Sequence, residues 1–116
     1  MQSEKGYERA EELGLYLVYV RGQAYLRAGH ATEAAREFQK VLAERGIVQD
    51  NIWGALAHLQ LARAQVMMGD KAAARKSYND FLTLWKDADP DIPIYKQAKA
   101  EYAKLLGEAQ KVVAKQ

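Results

Sequence analysis

The stretch Gly22-Gln-Ala-Tyr25-Leu-Arg-Ala-Gly29-His-Ala-Thr-Glu-Ala34-Ala-Arg-Glu-Phe38-Gln-Lys-Val-Leu42 decides the fold. Its skeleton returns 40 residues later, with Ala62, Gln65, Gly69, Ala74, Tyr78 and Leu82 standing for Gly22, Tyr25, Gly29, Ala34, Phe38 and Leu42. Small residues, a turn glycine and a ring recur in register. Self-similarity at a fixed period of this size marks a stack of supersecondary units. Such stacks build extended binding surfaces, so the expected activity is holding a partner.

Around each copy the pattern predicts a helical hairpin. A first helix is expected over about Leu13–Ala28, with Leu13, Leu17, Val20 and Ala24 on one face at three-to-four spacing. The run Leu15–Val20 also suits a strand, but no second strand-like segment exists to pair with it. Residues 3–13 are helix-friendly, and Gly14 either interrupts or merely weakens their continuity with that first helix. After a tight turn at Gly29-His30, a second helix over Ala31–Arg45 carries Ala34, Phe38, Val41 and Leu42 inward, with Gly46 as its C-cap. His30 occupies the place of Asp70 in the second copy, which favours a capping role.

A connection at residues 46–51 leads to a third helix over Ile52–Met68, capped by Asp50 or Asn51. Gly69-Asp70 repeats the turn, with Asp70 as N-cap of a fourth helix over Lys71–Lys86 bearing Ala74, Tyr78, Phe81, Leu82 and Trp85. Asp87–Pro93 breaks the pattern. Asp91 is placed to cap a fifth helix over Ile92–Ala114, with Pro93 in its first turn. Tyr95, Ala98, Tyr102, Leu105, Ala109 and Val112 form a heptad-like stripe there. The chain reads as one all-α domain: a helical extension at 1–13, repeats at 14–46 and 52–86, and a capping helix at 92–114.

Helix pairs with glycine turns and this small-small-bulky pattern resemble tetratricopeptide (TPR) repeats, through Gly22, Tyr25, Gly29, Ala34 and Phe38, then Leu61, Ala62, Gly69, Ala74 and Tyr78. The resemblance implies a right-handed α-α superhelix. Gly22 and Ala62 are expected to let paired helices approach, and Phe38 and Tyr78 to fill the gap toward the next repeat. Gln65 in place of an aromatic, and a period longer than about 34 residues, depart from the family. The segments Tyr19–Leu26, Gly54–Leu61 and Asp80–Pro93, continued by Ala98–Tyr102, look closer still to the C-terminal repeat region of bacterial serine/threonine protein kinases. In that family such repeats follow a kinase domain and usually a membrane span. No Gly-rich nucleotide loop, His-Arg-Asp or Asp-Phe-Gly motif is present here, so kinase activity does not carry over to this chain.

Composition narrows the alternatives. A net charge of +2 is too balanced for a nucleic-acid binder. The 49% apolar content fits an ordered core, while the longest apolar run, Leu15–Val20, is far too short to insert in a membrane. Met1–Gly6 lacks the apolar core of a signal peptide. With no cysteine, disulfides and thiolate sites are excluded and no compartment is assigned. A cytoplasmic domain and the extracytoplasmic part of a membrane-anchored parent both fit.

Chemistry-bearing residues do not converge in sequence. His30 and His58 lack metal-ligand spacing. Asp87, Asp89 and Asp91 start like a calcium loop, but Ile92 and Ala98 stand where glycine and glutamate are required. No nucleotide loop exists, so no catalytic residue, cofactor or metal is expected. Lysines 96, 99, 104, 111 and 115 make the last helix basic, interspersed with Glu101 and Glu108 as a solvated face.

The expected partner is a protein or peptide on the concave face lined by the first helix of each pair. That face comprises Tyr16, Tyr19, Gln23, Leu26 and Arg27 beside Leu59, Gln60, Arg63, Val66 and Met67. Aromatic and methionine anchors with a few polar groups suit such a groove. Two readings stand: an open groove, or a core covered by the fifth helix. The alternative function is homodimerisation through Ala98, Tyr102, Leu105, Ala109 and Val112.

Overall fold

Two glycines set the topology. Gly29 and Gly69 have φ of +83° and +82°, a region that penalises any Cβ. Around them the backbone makes the same bonds twice. The His30 N–H donates to Tyr25 O at 2.9 Å and the Gly29 N–H to Leu26 O at 3.2 Å; Asp70 N–H donates to Gln65 O at 2.9 Å and Gly69 N–H to Val66 O at 3.0 Å. This is the Schellman closure, which satisfies the last helix carbonyls and reverses the chain at once.

The computed structural model describes residues 2–44 and 52–114, with side chains at 13–44 and 54–108. Among the described residues there are five helices: α1 (Gln2–Arg27), α2 (Ala31–Ala43), α3 (Ile52–Met67), α4 (Lys71–Leu84) and α5 (Pro93–Ala114). The described residues contain no strand, and the fold is all-α. None of the helices is long and apolar enough to cross a membrane, among the described residues.

Element boundaries differ from expectation where capping differs. α1 runs unbroken through Gly14, where an added Cβ would meet nothing within 4 Å. α2 ends at Ala43, closed by the Glu44 N–H on Val41 O at 3.2 Å. The expected caps Gly46, Asp50 and Asn51 lie outside the described residues. Asp70 caps α4, its Oδ1 accepting from Ala73 N–H at 3.2 Å. His30 holds the equivalent place on α2 without a side-chain cap bond. Its Nδ1 lies 3.4 Å from Glu33 Oε2, and its ring stands edge-on to Tyr25. Asp91 does not cap α5 either. It lies 3.7 Å from Lys96 Nζ, and Ile92 O receives the first helical N–H groups.

Helices adjacent in sequence pack together, α1 on α2, α2 on α3, α3 on α4 and α4 on α5, and α1 makes a smaller contact with α3. One core cluster joins Leu15 and Tyr19 of α1, Ala34, Ala35, Phe38 and Val41 of α2, and Ala57, Leu61 and Ala64 of α3. Phe38 is fully buried, and its ring lies over Gly22 so closely that a Cβ there would sit 2.7 Å from Cε1. Phe38, expected to fill the gap toward the next repeat, therefore also closes its own hairpin. This contact decides which face of α1 turns inward. The buried face is Leu15, Tyr19 and Gly22. The stripe of Leu13, Leu17 and Val20 faces outward, with Leu13 and Leu17 each 57% and Val20 39% exposed. α1 carries two apolar faces, and only one offers a site where the Phe38 ring fits.

The second cluster joins Ala55, Leu59 and Ala62 of α3, Ala74, Tyr78 and Phe81 of α4, and Tyr95, Ala98 and Leu105 of α5. Trp85 meets Tyr95 edge-on at 6.4 Å and Tyr78 meets Tyr102 at 6.1 Å. α5 thus covers the outer face of α4. The stripe read as a dimerisation seam is occupied: Ala98 and Leu105 are buried within this chain. A two-fold contact through them requires α5 to detach. The Ala109 and Val112 side chains fall outside the described residues.

Candidate functional site

Because α5 packs on α4 and not across α1, a cleft of about 400 Å³ remains between the end of α1, α3, α4 and α5. Its apolar walls are Leu26, Val66, Met67 and Leu105; its polar groups are Arg63, Tyr78, Glu101, Lys104 and Glu108. Val66 and Met67 are exposed at 39% and 50%, an apolar ledge facing solvent. Of the two readings of this face, the open groove fits this geometry, with the last helix as a wall instead of a lid.

The floor is a fork. Arg63 donates from Nε to Glu101 Oε1 at 2.9 Å and from Nη2 to Oε2 at 2.8 Å, a planar bidentate pair between α3 and α5. The Tyr78 hydroxyl donates to Glu101 Oε1 at 2.7 Å, so α4 joins the same carboxylate. Burial pushes the Glu101 carboxyl up, but Arg63 and Tyr78 together hold it below its ordinary range. Burial, then the bond to Glu101, raises the Tyr78 phenol well above its usual value. The Arg63 guanidinium, bonded to Glu101, holds its proton more tightly than a free one. With its charges paired internally, the floor is polar but carries no net charge, and Lys104 is an exposed cation on its rim. Glu108 is tied to Lys71 of α4 at 3.5 Å.

The residues expected on the partner face divide. Leu26, Arg63, Val66 and Met67 line the cleft. Leu59 is fully buried in the second cluster and cannot meet a partner there. Tyr19 and Gln60 are buried as well, the Gln60 Nε2 donating to the Tyr19 hydroxyl oxygen at 3.3 Å. Gln23 Nε2 donates to the same oxygen at 3.4 Å, and burial raises the Tyr19 phenol. These three form a polar bridge between α1 and α3. Tyr16 and Arg27 are exposed and do not line the cleft. Sequence reasoning missed Glu101, Tyr78, Lys104, Leu105 and Glu108 as groove residues. The one available signal was Arg63 on the apolar side of α3, a charge that requires an acid; the sequence does not say which acid.

Acidification is expected to weaken the fold in two stages. His58, desolvated and held 3.9 Å from Asp80, has a pKa below 6.5 because burial outweighs the nearby carboxylate. The unfolded chain therefore takes up this proton first, and stability falls as pH drops from 6.5 through the folded value. Glu101 and Glu37 titrate below 4.5 in the fold. At Glu37 burial opposes ionisation, and Lys40 at 3.1 Å and Arg21 at 3.0 Å outweigh it. Their contribution is complete above pH 4.5 and disappears as pH falls through the folded values. Melting temperature against pH measures this: His58→Gln should flatten the upper stage and Glu101→Gln reduce the lower one.

In comparisons with family models, curated proteins and solved structures, nothing matched this chain. Among the described residues no group of three or more histidines and carboxylates is placed to hold a metal ion.

Proposed function

We propose that this chain is a non-catalytic protein-interaction module of TPR-type hairpins closed by a capping helix, and that it holds a peptide in the cleft between α1, α3 and α5. One observation carries the reading: the apolar ledge of Leu26, Val66, Met67 and Leu105 lies beside a charge-neutralised Arg63–Glu101 floor. An apolar side chain set on that floor does not strand a buried charge. The exposed methionine adapts to the shape of what it receives. The doubled glycine turns and the Gly22–Phe38 contact support the TPR-type reading. The resemblance to the repeat region of bacterial serine/threonine kinases supports a docking or sensory role within such a receptor.

Selection of random peptides on the immobilised full chain tests this. Enriched peptides should carry an apolar anchor and lose binding to Met67→Glu and Leu26→Glu proteins, while Lys86→Glu leaves it unchanged. Peptides indifferent to both groove substitutions, or no enrichment at all, would overturn the proposal.

A further inference from the structure

Lys104 stands on the rim of the cleft, one residue before Leu105 in the apolar wall. On a helix its natural partners are carboxylates three and four residues away, here Glu101 and Glu108. Both are drawn to other helices. Glu101 gives both oxygens to Arg63 of α3, and one of them also accepts from Tyr78 of α4. Glu108 lies 3.5 Å from Lys71 of α4. Among the described residues Lys104 therefore has no ion-pair partner, although two carboxylates stand within a turn of it on its own helix. Arg63, Lys71 and Lys104 against Glu101 and Glu108 leave this end of the cleft with one uncompensated positive charge, and it sits on the exposed lysine.

We infer that the cleft selects an acidic peptide, with an apolar anchor on the ledge of Val66, Met67 and Leu105 and an aspartate or glutamate side chain beside that anchor, on the Lys104 ammonium. The inference rests on the peptide-binding reading of the cleft and adds to it the charge of the ligand. Neighbouring residues on a helix diverge by about 100°, so the ammonium of Lys104 flanks the wall that Leu105 offers to the anchor. The acid is then next to the anchor in the peptide, or one residue removed. A cleft of about 400 Å³ lies near the lower end of the roughly 300–1,000 Å³ range of ligand pockets, which suits a single anchor with its charge on the rim.

The carboxylate is that of a side chain and not of a chain terminus. Terminal carboxylates are captured by converging backbone N–H groups. The residues lining this cleft stand inside α1, α3, α4 and α5, past the first turn of each, where the N–H groups are bonded within the helix. One solvated cation is what the cleft offers, and a side-chain carboxylate asks for no more.

The test selects random peptides, displayed through their C-termini, in parallel on the immobilised full chain and on Lys104→Glu. Lys104 is exposed, and an unchanged melt of the variant establishes that it folds. The unaltered chain should enrich aspartate or glutamate beside the apolar anchor, and Lys104→Glu should enrich lysine or arginine at that place. A synthetic amidated copy of an enriched peptide should bind the unaltered chain about two- to five-fold more tightly than Lys104→Ala, the worth of one exposed ion pair. That difference should close in about 1 M salt, where the screening length shrinks to roughly 3 Å. Anchored peptides that lose binding to Met67→Glu but show no acidic preference, or the same preference on Lys104→Glu, overturn this inference and leave the peptide-binding reading standing. No enrichment on either protein overturns both. If the free-acid form of the peptide, and not the amide, carries the Lys104 dependence, the carboxylate is a terminus and the inference falls. It falls also if sedimentation shows a dimer that Met67→Glu dissolves, since the occupant is then a second copy.

Discussion

Replacing Phe38 with alanine is expected to cost about 3–5 kcal/mol of unfolding free energy, a large share of the ~5–15 kcal/mol that a domain of this size commands. The ring is fully buried, lies over Gly22, meets Tyr19 at 5.7 Å and joins α1, α2 and α3 in one cluster. The same contact makes the sign of a second change depend on the first. Gly22→Ala alone puts a Cβ 2.7 Å from the Phe38 ring, and overpacking of about 1–3 kcal/mol outweighs the roughly 1 kcal/mol of helix preference gained. In the Phe38→Ala background the clash is gone, and Gly22→Ala becomes stabilising. Urea melts of the four proteins measure both effects, and a Gly22→Ala that destabilises equally in both backgrounds would show that the ring is not what requires glycine.

Removing residues 91–116 is expected to be larger still. α5 closes the second cluster, and without it Tyr78 and Trp85 lose Tyr102 and Tyr95 as cover, while Tyr95, Ala98 and Leu105 themselves leave the core. At about 1.5–3 kcal/mol for each large apolar side chain re-exposed, the loss reaches the whole margin of stability. Arg63 simultaneously loses both bonds to Glu101. The shortened chain should aggregate or lose its cooperative melt. A monomer with an unchanged melt would mean that α5 is an appendage.

Much of the fold was legible because the decisive residues act locally. Gly29, Gly69 and Asp70 govern turns by their own backbone and side-chain geometry, and Pro93 opens α5 as expected. The face of α1 was not legible. Both its stripes have helical spacing, and the choice between them belongs to Phe38, sixteen residues from Gly22 on another helix. The site was legible in half. Leu26, Arg63 and Met67 follow from the repeat; Glu101 and Lys104 come from the helix outside it, where no internal copy exists for comparison. Leu59 and Gln60 were misplaced because the face of a helix that meets a groove and the face that meets the next helix differ by one residue, about 100° of rotation.

Packing chiefly between sequence neighbours has a consequence for how binding is felt. With most contacts passing from each helix to the next, the chain has low contact order and little to couple its ends. The cleft is lined by α1 and α3 together with α4 and α5, so its walls come from both ends of the chain. A peptide seated there acts as a non-local staple, so occupancy should sharpen the unfolding transition as well as raise its midpoint.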